Sequence, residues 1–403
     1  MSRIEIILLA INILLYGFVA IFSYSYVDLN LTISQNKLIL SFVDTIQQLG
    51  YFNRPQATLI YLLLIIFTFS FFIFNLWLFY KSKIGLNYLQ FSTLASTLIL
   101  VFAYPFLSSD LFNYMFDAKI ILKYHASPYT HRPLDFPNDE WLRFMRWVHR
   151  YSPYGPFWLG MSIIPAFLGF GKFILNYLTF KIFISSFHLI NTYIIYKVLL
   201  KTNEKNSIFW TATYAFNPLF LLEGVANAHN DIVLATFLIL PVYFLISKKI
   251  NWSYITLFTG ALIKYIPVLN LPPLIFYHLK DMNRHKFRRL IFLNLATMAV
   301  FTYLFSSFKI TVPFVSSGAT QVQFQPWYLF WTLPLIALLG NMFLVVIAIA
   351  LSLGASLRYL PYLYYGDWSH PQTTNFLQFI TVAPLLISAL FVLIIKITKF
   401  RKS

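Results

Sequence analysis

Asp110, Tyr114 and Asp117 are spaced i, i+4, i+7, so a helix carries all three on one face. A carboxylate at a membrane boundary, beside apolar neighbours, can take a proton as a general base. Ser108-Ser109-Asp110 is equally a good helix start. Spacing alone therefore leaves a catalytic and a capping role open, and Ser109 can cap while Asp110 faces a cleft. Asn227-Ala228-His229-Asn230-Asp231 follows Glu223 at the edge of an apolar run. Adjacent polar side chains there are expensive unless paired. They could hydrogen-bond a phosphate or an acceptor, or cap a helix. His followed by Asn-Asp has no familiar metal-ligand spacing.

Lys264 lies well inside an apolar segment, where a hydrated cation wants an anion such as a lipid phosphate or else must snorkel to an interface. Arg358 and Lys181 are weaker versions of the same case. Tyr151-Ser152-Pro153-Tyr154-Gly155-Pro156 has two prolines and a glycine that fix a rigid approach to the next helix. It is either a helix start or a wall opposite Asp110. Gln325 to Pro334, with Trp327, Tyr328 and Trp331, reads as an aromatic belt at a membrane boundary.

The elements that must hold these residues are membrane helices. The chain has 403 residues, 59% hydrophobic, 20% aromatic and only 11% charged. Charge that sparse, against about 25% in soluble domains, cannot coat a water-soluble protein of this length. It excludes a cytosolic enzyme, a disordered chain, a nucleic-acid reader and a disulfide-stapled domain. The net charge of +17 is therefore read as topology signal and lipid contact rather than nucleic-acid affinity.

The fold expected is all-α and polytopic, with about 11 to 13 membrane segments counting short and re-entrant helices. Clear runs are Ile4–Tyr26, Thr58–Tyr80, Leu86–Leu107, Leu175–Leu200, Ser207–Leu222, Ile232–Ser247, Leu290–Ser307 and Phe376–Ile397. Phe157–Phe173, Trp252–His278 and Trp327–Tyr359 are broken by proline or glycine. A single domain over 1–403 is expected, with 1–85 as a two-span N-terminal extension. The polar loop 108–156 should hold surface-lying amphipathic helices, one over 111–121 and one over Trp141–Trp147.

Placing the basic clusters at Lys81/Lys83, Lys197 to Lys205, Lys248/Lys249, Lys280 to Arg289 and Lys396 to Lys402 in the cytoplasm leaves only Glu5, Glu204 and Asp281 with them. Asp28, Asp44, Asp110, Asp117, Asp135, Asp139, Glu140, Glu223, Asp231 and Asp367 fall on the outer side, so an extracytoplasmic working face is expected.

Four segments in this order resemble the GT-C superfamily of polytopic glycosyltransferases, closest to bacterial polyprenyl-phosphate-mannose-dependent mannosyltransferases. Ser109 to Lys119, followed by Ser127-Pro128-Tyr129, is similar to the acidic first-loop motif and its Asn-Pro-Tyr step. Tyr151–Pro156 is similar to the motif that opens the next helix. Gly224 to Asp231 is similar to a Gly-His-Asn-Asp turn, with Ala226-Asn227-Ala228 diluting the glycines. Gln325–Pro334 is similar to a Pro-Trp-Tyr-Leu-Leu-Trp-Ala-Leu-Pro segment. The resemblance covers about Leu86 to the C-terminus.

The resemblance implies transfer of a hexose, mannose by inheritance, from a polyprenyl-phosphate donor in the bilayer to a glycan or glycolipid hydroxyl. The enzyme would sit in the cell membrane, or in the ER membrane of a eukaryote, and the transfer would invert the anomeric carbon. Asp110 is then the base, with Asp117 in support. Lys264, His229 and Arg358 are expected at the donor phosphate, and Tyr114, Tyr154, Asn230, Asp231, Trp327 and Tyr328 at the substrates. A divalent Mg or Mn ion is permitted but not required. A secondary transporter or lipid flippase is the rival reading, because broken helices and midplane charge suit it too; such a fold predicts internal repeats, and none is visible.

Overall fold

The computed structural model describes residues 1–29, 35–202, 205–278, 282–307 and 324–400. Glu204, Lys280, Asp281, Arg401 and Lys402 lie outside the described residues. The helices are α1 (Arg3–Ser23), α2 (Lys37–Gln47), α3 (Arg54–Tyr80), α4 (Leu86–Val101), α5 (Asp110–Tyr124), α6 (Pro156–Leu168), α7 (Phe173–Lys201), α8 (Ser207–Ala215), α9 (Asp231–Ile246), α10 (Ile250–Ala261), α11 (Leu271–His278), α12 (Arg284–Ser307), α13 (Leu333–Leu339), α14 (Met342–Leu357), α15 (Leu360–Tyr365) and α16 (Pro371–Phe400). No strand occurs among the described residues, and the protein is an all-α polytopic membrane protein.

Among the described residues, six helices are long and apolar enough to cross a membrane, and a pair bent by 113° (Phe220–Ala226 with Asp231–Ile246) would make a seventh. The other expected segments are shorter helices, among them α4, α6 and the Pro326–Leu339 stretch. The run Ser207–Leu222 is not one helix. Its α-helical part stops at Ala215 before Asn217-Pro218, and the chain resumes as a π-helix over Phe220–Ala226. Proline supplies no amide for the ladder, which accounts for the break.

Local chemistry sets several other boundaries. Ser2 and Glu5 form a capping box at the start of α1, and the Glu5 carboxylate also accepts the Gly85 amide at 2.9 Å, joining α1 to the start of α4. Gly340, at φ 63°, ends α13, and Asn341 then caps α14 by accepting from Phe343 N–H at 2.9 Å.

The loop 108–156 differs from expectation in two ways. Its helix α5 exists, but Leu111 to Ala118 and Ile120 are all buried, so it is a core element rather than a surface-lying amphipath. Trp141–Trp147 is not a second α-helix, since only a 3-10 turn over Glu140–Phe144 forms. The loop is fastened to α5 by Asp139, which accepts from Lys119 Nζ at 2.7 Å, Tyr124 Oη at 2.5 Å and the Trp141 amide at 2.8 Å. Helix α2, between the first two spans, has no counterpart in the runs read from hydropathy.

The start of α6 docks on the end of α10. Gly155 N–H donates to the Ile263 carbonyl and Phe157 N–H to the Leu262 carbonyl, both at 3.0 Å. A Cβ at residue 155 would overlap the Leu262 carbonyl, so glycine is required for this approach. The contact holds the 262–265 turn in place and with it Lys264. One apolar core cluster runs from Leu8 in α1 to Leu363 in α15.

Candidate active site

A cavity of about 450 Å³ opens beside the N-terminus of α5. Six of the expected site residues line it: Asp110, Asp117, Tyr154, Trp327, Tyr328 and Arg358. The same walls carry Asp28, Arg146, Trp147, Arg150 and Trp368, which sequence reasoning did not single out as site residues. Tyr26, Tyr51 and Tyr104 add further aromatic surface from the N-terminal part of the chain. Arg146 donates to Tyr362 Oη at 3.1 Å, Arg150 lies 4.1 Å from the Trp147 ring centroid, and Arg358 donates to Thr381 Oγ1 at 3.3 Å. The cavity thus sets three carboxylates and three guanidinium groups among aromatic faces.

Five expected residues lie outside the lining. Lys264 Nζ is 2.6 Å from Asp231 Oδ2, and Trp331 Nε1–H donates to Asp231 Oδ1 at 2.9 Å. Asp231 is fully buried, and this ion pair ties the 262–265 turn to the start of α9. Tyr114 stacks edge-on against Tyr154 at 5.0 Å and Trp158 at 5.1 Å, and its hydroxyl accepts the Asn230 amide at 3.3 Å. The Asn230 side chain is buried with neither polar atom hydrogen-bonded.

His229 is also fully buried, directly behind Asp110. Its Nδ1 is 3.5 Å from Asp110 Oδ2 and its Nε2 is 3.3 Å from Glu223 Oε2. These are ion-pair distances, without hydrogen-bond alignment at either nitrogen. Trp327 stacks on the imidazole at 3.8 Å with 24° between the planes. Asp110 keeps a side-chain exposure of 20%, whereas His229 and Glu223 are sealed.

The backbone that presents His229 departs from a regular helix twice. The π-helix Phe220–Ala226 ends in a turn where Ala228 sits at φ 55°, the left-handed region. That turn lets the His229 amide donate back to the Glu223 carbonyl at 3.0 Å. Asn227 bridges outward, accepting the Leu107 amide at 3.0 Å and donating to Glu223 Oε2 at 3.3 Å. Lys181 of α7, itself fully buried, donates to the Val225 carbonyl at 2.6 Å and to the Ala226 carbonyl.

Asp117 is buried against the cavity, and its Oδ2 has no hydrogen-bond partner. Burial pushes its carboxyl up to about 7, and Ser152 nearby lowers it by less. The phenols of Tyr114 and Tyr154 are pushed well above their usual value, first by burial and then by the Asp110 charge, so both stay protonated. Among the described residues, no group of three or more His, Asp or Glu side chains is arranged to hold a metal ion, and the Mg or Mn ion that the acids permit finds no such donor set there.

Residues 16–280 match the model of the MptA_B family, described as alpha-(1->6)-mannopyranosyltransferase, N-terminal domain. The match spans more than half of the chain, and the chain belongs to this family. It begins inside α1, well before Leu86, and stops short of the Gln325–Pro334 segment. No curated protein and no solved structure matches the chain.

Two outcomes follow. For Asp117, the folded value of about 7 lies above the ordinary 3.8, so the folded state holds an extra proton between those values. Stability is then full below about pH 4, falls as pH rises towards 7, and stays low above it. Asp117→Asn should flatten that fall and raise the thermal midpoint at pH 8, with little change at pH 4, in melts followed by intrinsic fluorescence in detergent. At residue 228 a non-glycine side chain in the left-handed region costs about 1–2 kcal/mol. Ala228→Gly should therefore raise the midpoint in the same melt, by a gain of about 1 kcal/mol.

Proposed function

We propose that this member of the alpha-(1->6)-mannopyranosyltransferase family transfers mannose from a polyprenyl-phosphate donor to a glycan or glycolipid hydroxyl on the extracytoplasmic face of the cell membrane. The observation that carries the reading is the cavity that sets Asp110 and Asp117 beside Arg146, Arg150 and Arg358 among aromatic walls. Membership of the family supports mannose as the sugar, and the linkage in the family's description supports the 6-hydroxyl of a mannosyl acceptor. The outward sorting of the acids under the positive-inside rule supports the working side.

The reaction is a single displacement at the anomeric carbon. The bond from C1 to the phosphate oxygen breaks, and its electron pair leaves with the lipid phosphate. The acceptor oxygen forms the new bond to C1, and its proton passes to the Asp110 carboxylate. One displacement inverts C1, so an α product requires a β-linked donor. The leaving group goes from a phosphodiester with one charge to a monoester that approaches two. Cations placed where that charge develops stabilise the transition state. Arg146, Arg150 and Arg358 fill this role, since Lys264 and His229 already face carboxylates. No general acid is needed, because the phosphate leaves ionised. Trp327, Tyr328 and Tyr154 offer ring faces for the sugars.

The test is turnover with purified protein, a polyprenyl-phosphate mannose donor and a mannose-terminated acceptor. Asp110→Asn should abolish release of polyprenyl phosphate while keeping the wild-type thermal midpoint, and retained turnover would sink the assignment. Arg150→Gln should raise the KM for donor about tenfold and leave the acceptor KM near wild type, a loss of about 1.4 kcal/mol of binding. The opposite order would remove the guanidinium from the phosphate site.

A further inference from the structure

Glu223 has no role in the proposed displacement, yet it is a buried carboxylate that faces a site residue. It is 1% exposed and lies in a π-helix, a distortion that recurs at functional sites. Burying a carboxylate is expensive unless it is paired. Glu223 faces the Asn227 side-chain amide, His229 Nε2 and the Tyr359 hydroxyl. His229 Nδ1 in turn faces Asp110 Oδ2. The three groups form a line of carboxylate, imidazole and carboxylate that runs from the sealed interior to the cavity wall.

The line is held along its whole length. Trp327 covers the ring face, so the imidazole cannot swing into the cavity without displacing an indole. The His229 amide is tied to the Glu223 carbonyl, and Asn227 ties Glu223 to Leu107, three residues before Asp110. Each ring nitrogen faces one carboxylate, Nε2 towards Glu223 and Nδ1 towards Asp110. With Asp110 Oδ2 addressed from behind, Oδ1 is the oxygen left for an acceptor.

We infer that Glu223 and His229 are positioning residues, Glu223 orienting His229 and His229 fixing the Asp110 carboxylate towards the acceptor. This rests on the reading of Asp110 as the base. The 3.3 and 3.5 Å separations are ion-pair distances, and catalytic hydrogen bonds commonly tighten once substrate is bound. The line moves no proton of its own. It works by orientation, where a misplacement of about 1 Å costs about 100-fold in rate.

The test uses the full chain in lipid nanodiscs, with polyprenyl-phosphate mannose and a mannose-terminated glycolipid. Glu223→Gln should lower kcat by about 10- to 100-fold with the donor KM within about twofold of wild type. Glu223→Asp, which keeps the charge, should recover part of the loss. A wild-type kcat in Glu223→Gln, a loss carried by KM, or no recovery with aspartate would overturn the inference. Should Glu223→Gln fail to fold, judged by its thermal midpoint, His229→Gln is read by the same split, and a wild-type kcat there overturns it equally. Asp110→Asn is the control that separates the two ideas. Activity in Asp110→Asn removes the base and this inference together. Loss in Asp110→Asn with no kcat effect in Glu223→Gln removes the positioning role alone.

Discussion

A backbone that leaves helical geometry in apolar surroundings must find new partners for its amides and carbonyls. Here that constraint falls on residues 220–231, where the chain passes from a π-helix through a left-handed residue into α9. The solution is a buried lysine side chain. Lys181 reaches from α7 to the Val225 and Ala226 carbonyls and caps the broken helix from inside the protein. With that end satisfied, the turn can project Asn227, His229 and Asp231 in three directions. Each then binds a different element: the strand of chain before α5, the Asp110 carboxylate, and the 262–265 turn through Lys264.

The site is therefore an arrangement around one break rather than around one helix. Asp110 comes from the start of α5, and the guanidinium groups of Arg146 and Arg150 come from the loop that Asp139 fastens to that helix. Arg358 and Trp327 arrive from beyond α12. The glycine at 155 serves the same assembly at a distance, because it lets α6 lie against the turn that delivers Lys264. Carboxylates are placed in graded exposure, from Asp110 at the cavity to Glu223 in the interior.

Much of this was legible in the sequence. Hydropathy and the scarcity of charge give an all-α membrane protein, and the segment order around Asp110 and His229 gives the mannosyltransferase family. Asp110, Asp117, Tyr154, Trp327, Tyr328 and Arg358, chosen by residue type, line one cavity, whereas Tyr114, His229, Asn230, Asp231 and Lys264 lie outside its lining. Other features could not be read. Glu223 and His229 are six apart, a spacing that no regular helix brings together; only the π-turn and the left-handed Ala228 do so. Arg146 looks like an interfacial residue beside Trp147, and the loop that carries it and Arg150 is fastened by long-range contacts of Asp139 with Lys119 and Tyr124. The isolated Lys264 reads as a free cation until its partner, 33 residues earlier, is seen across a bend. The first two spans read as an appendage because their apolar faces carry no motif, yet Tyr26, Asp28 and Tyr51 line the cavity.

That lining has a consequence for the order in which the protein is made. The cavity takes Tyr26 from well before Asp110 and Trp368 and Leu377 from far after it. A ribosome-bound intermediate holds Asp110, His229 and Glu223 long before the far wall is synthesised. Its half-built site has nowhere to enclose a sugar. The cavity wall is thus completed only when Trp368 and Leu377 have been made, and a chain cut before them lacks that part of the enclosure.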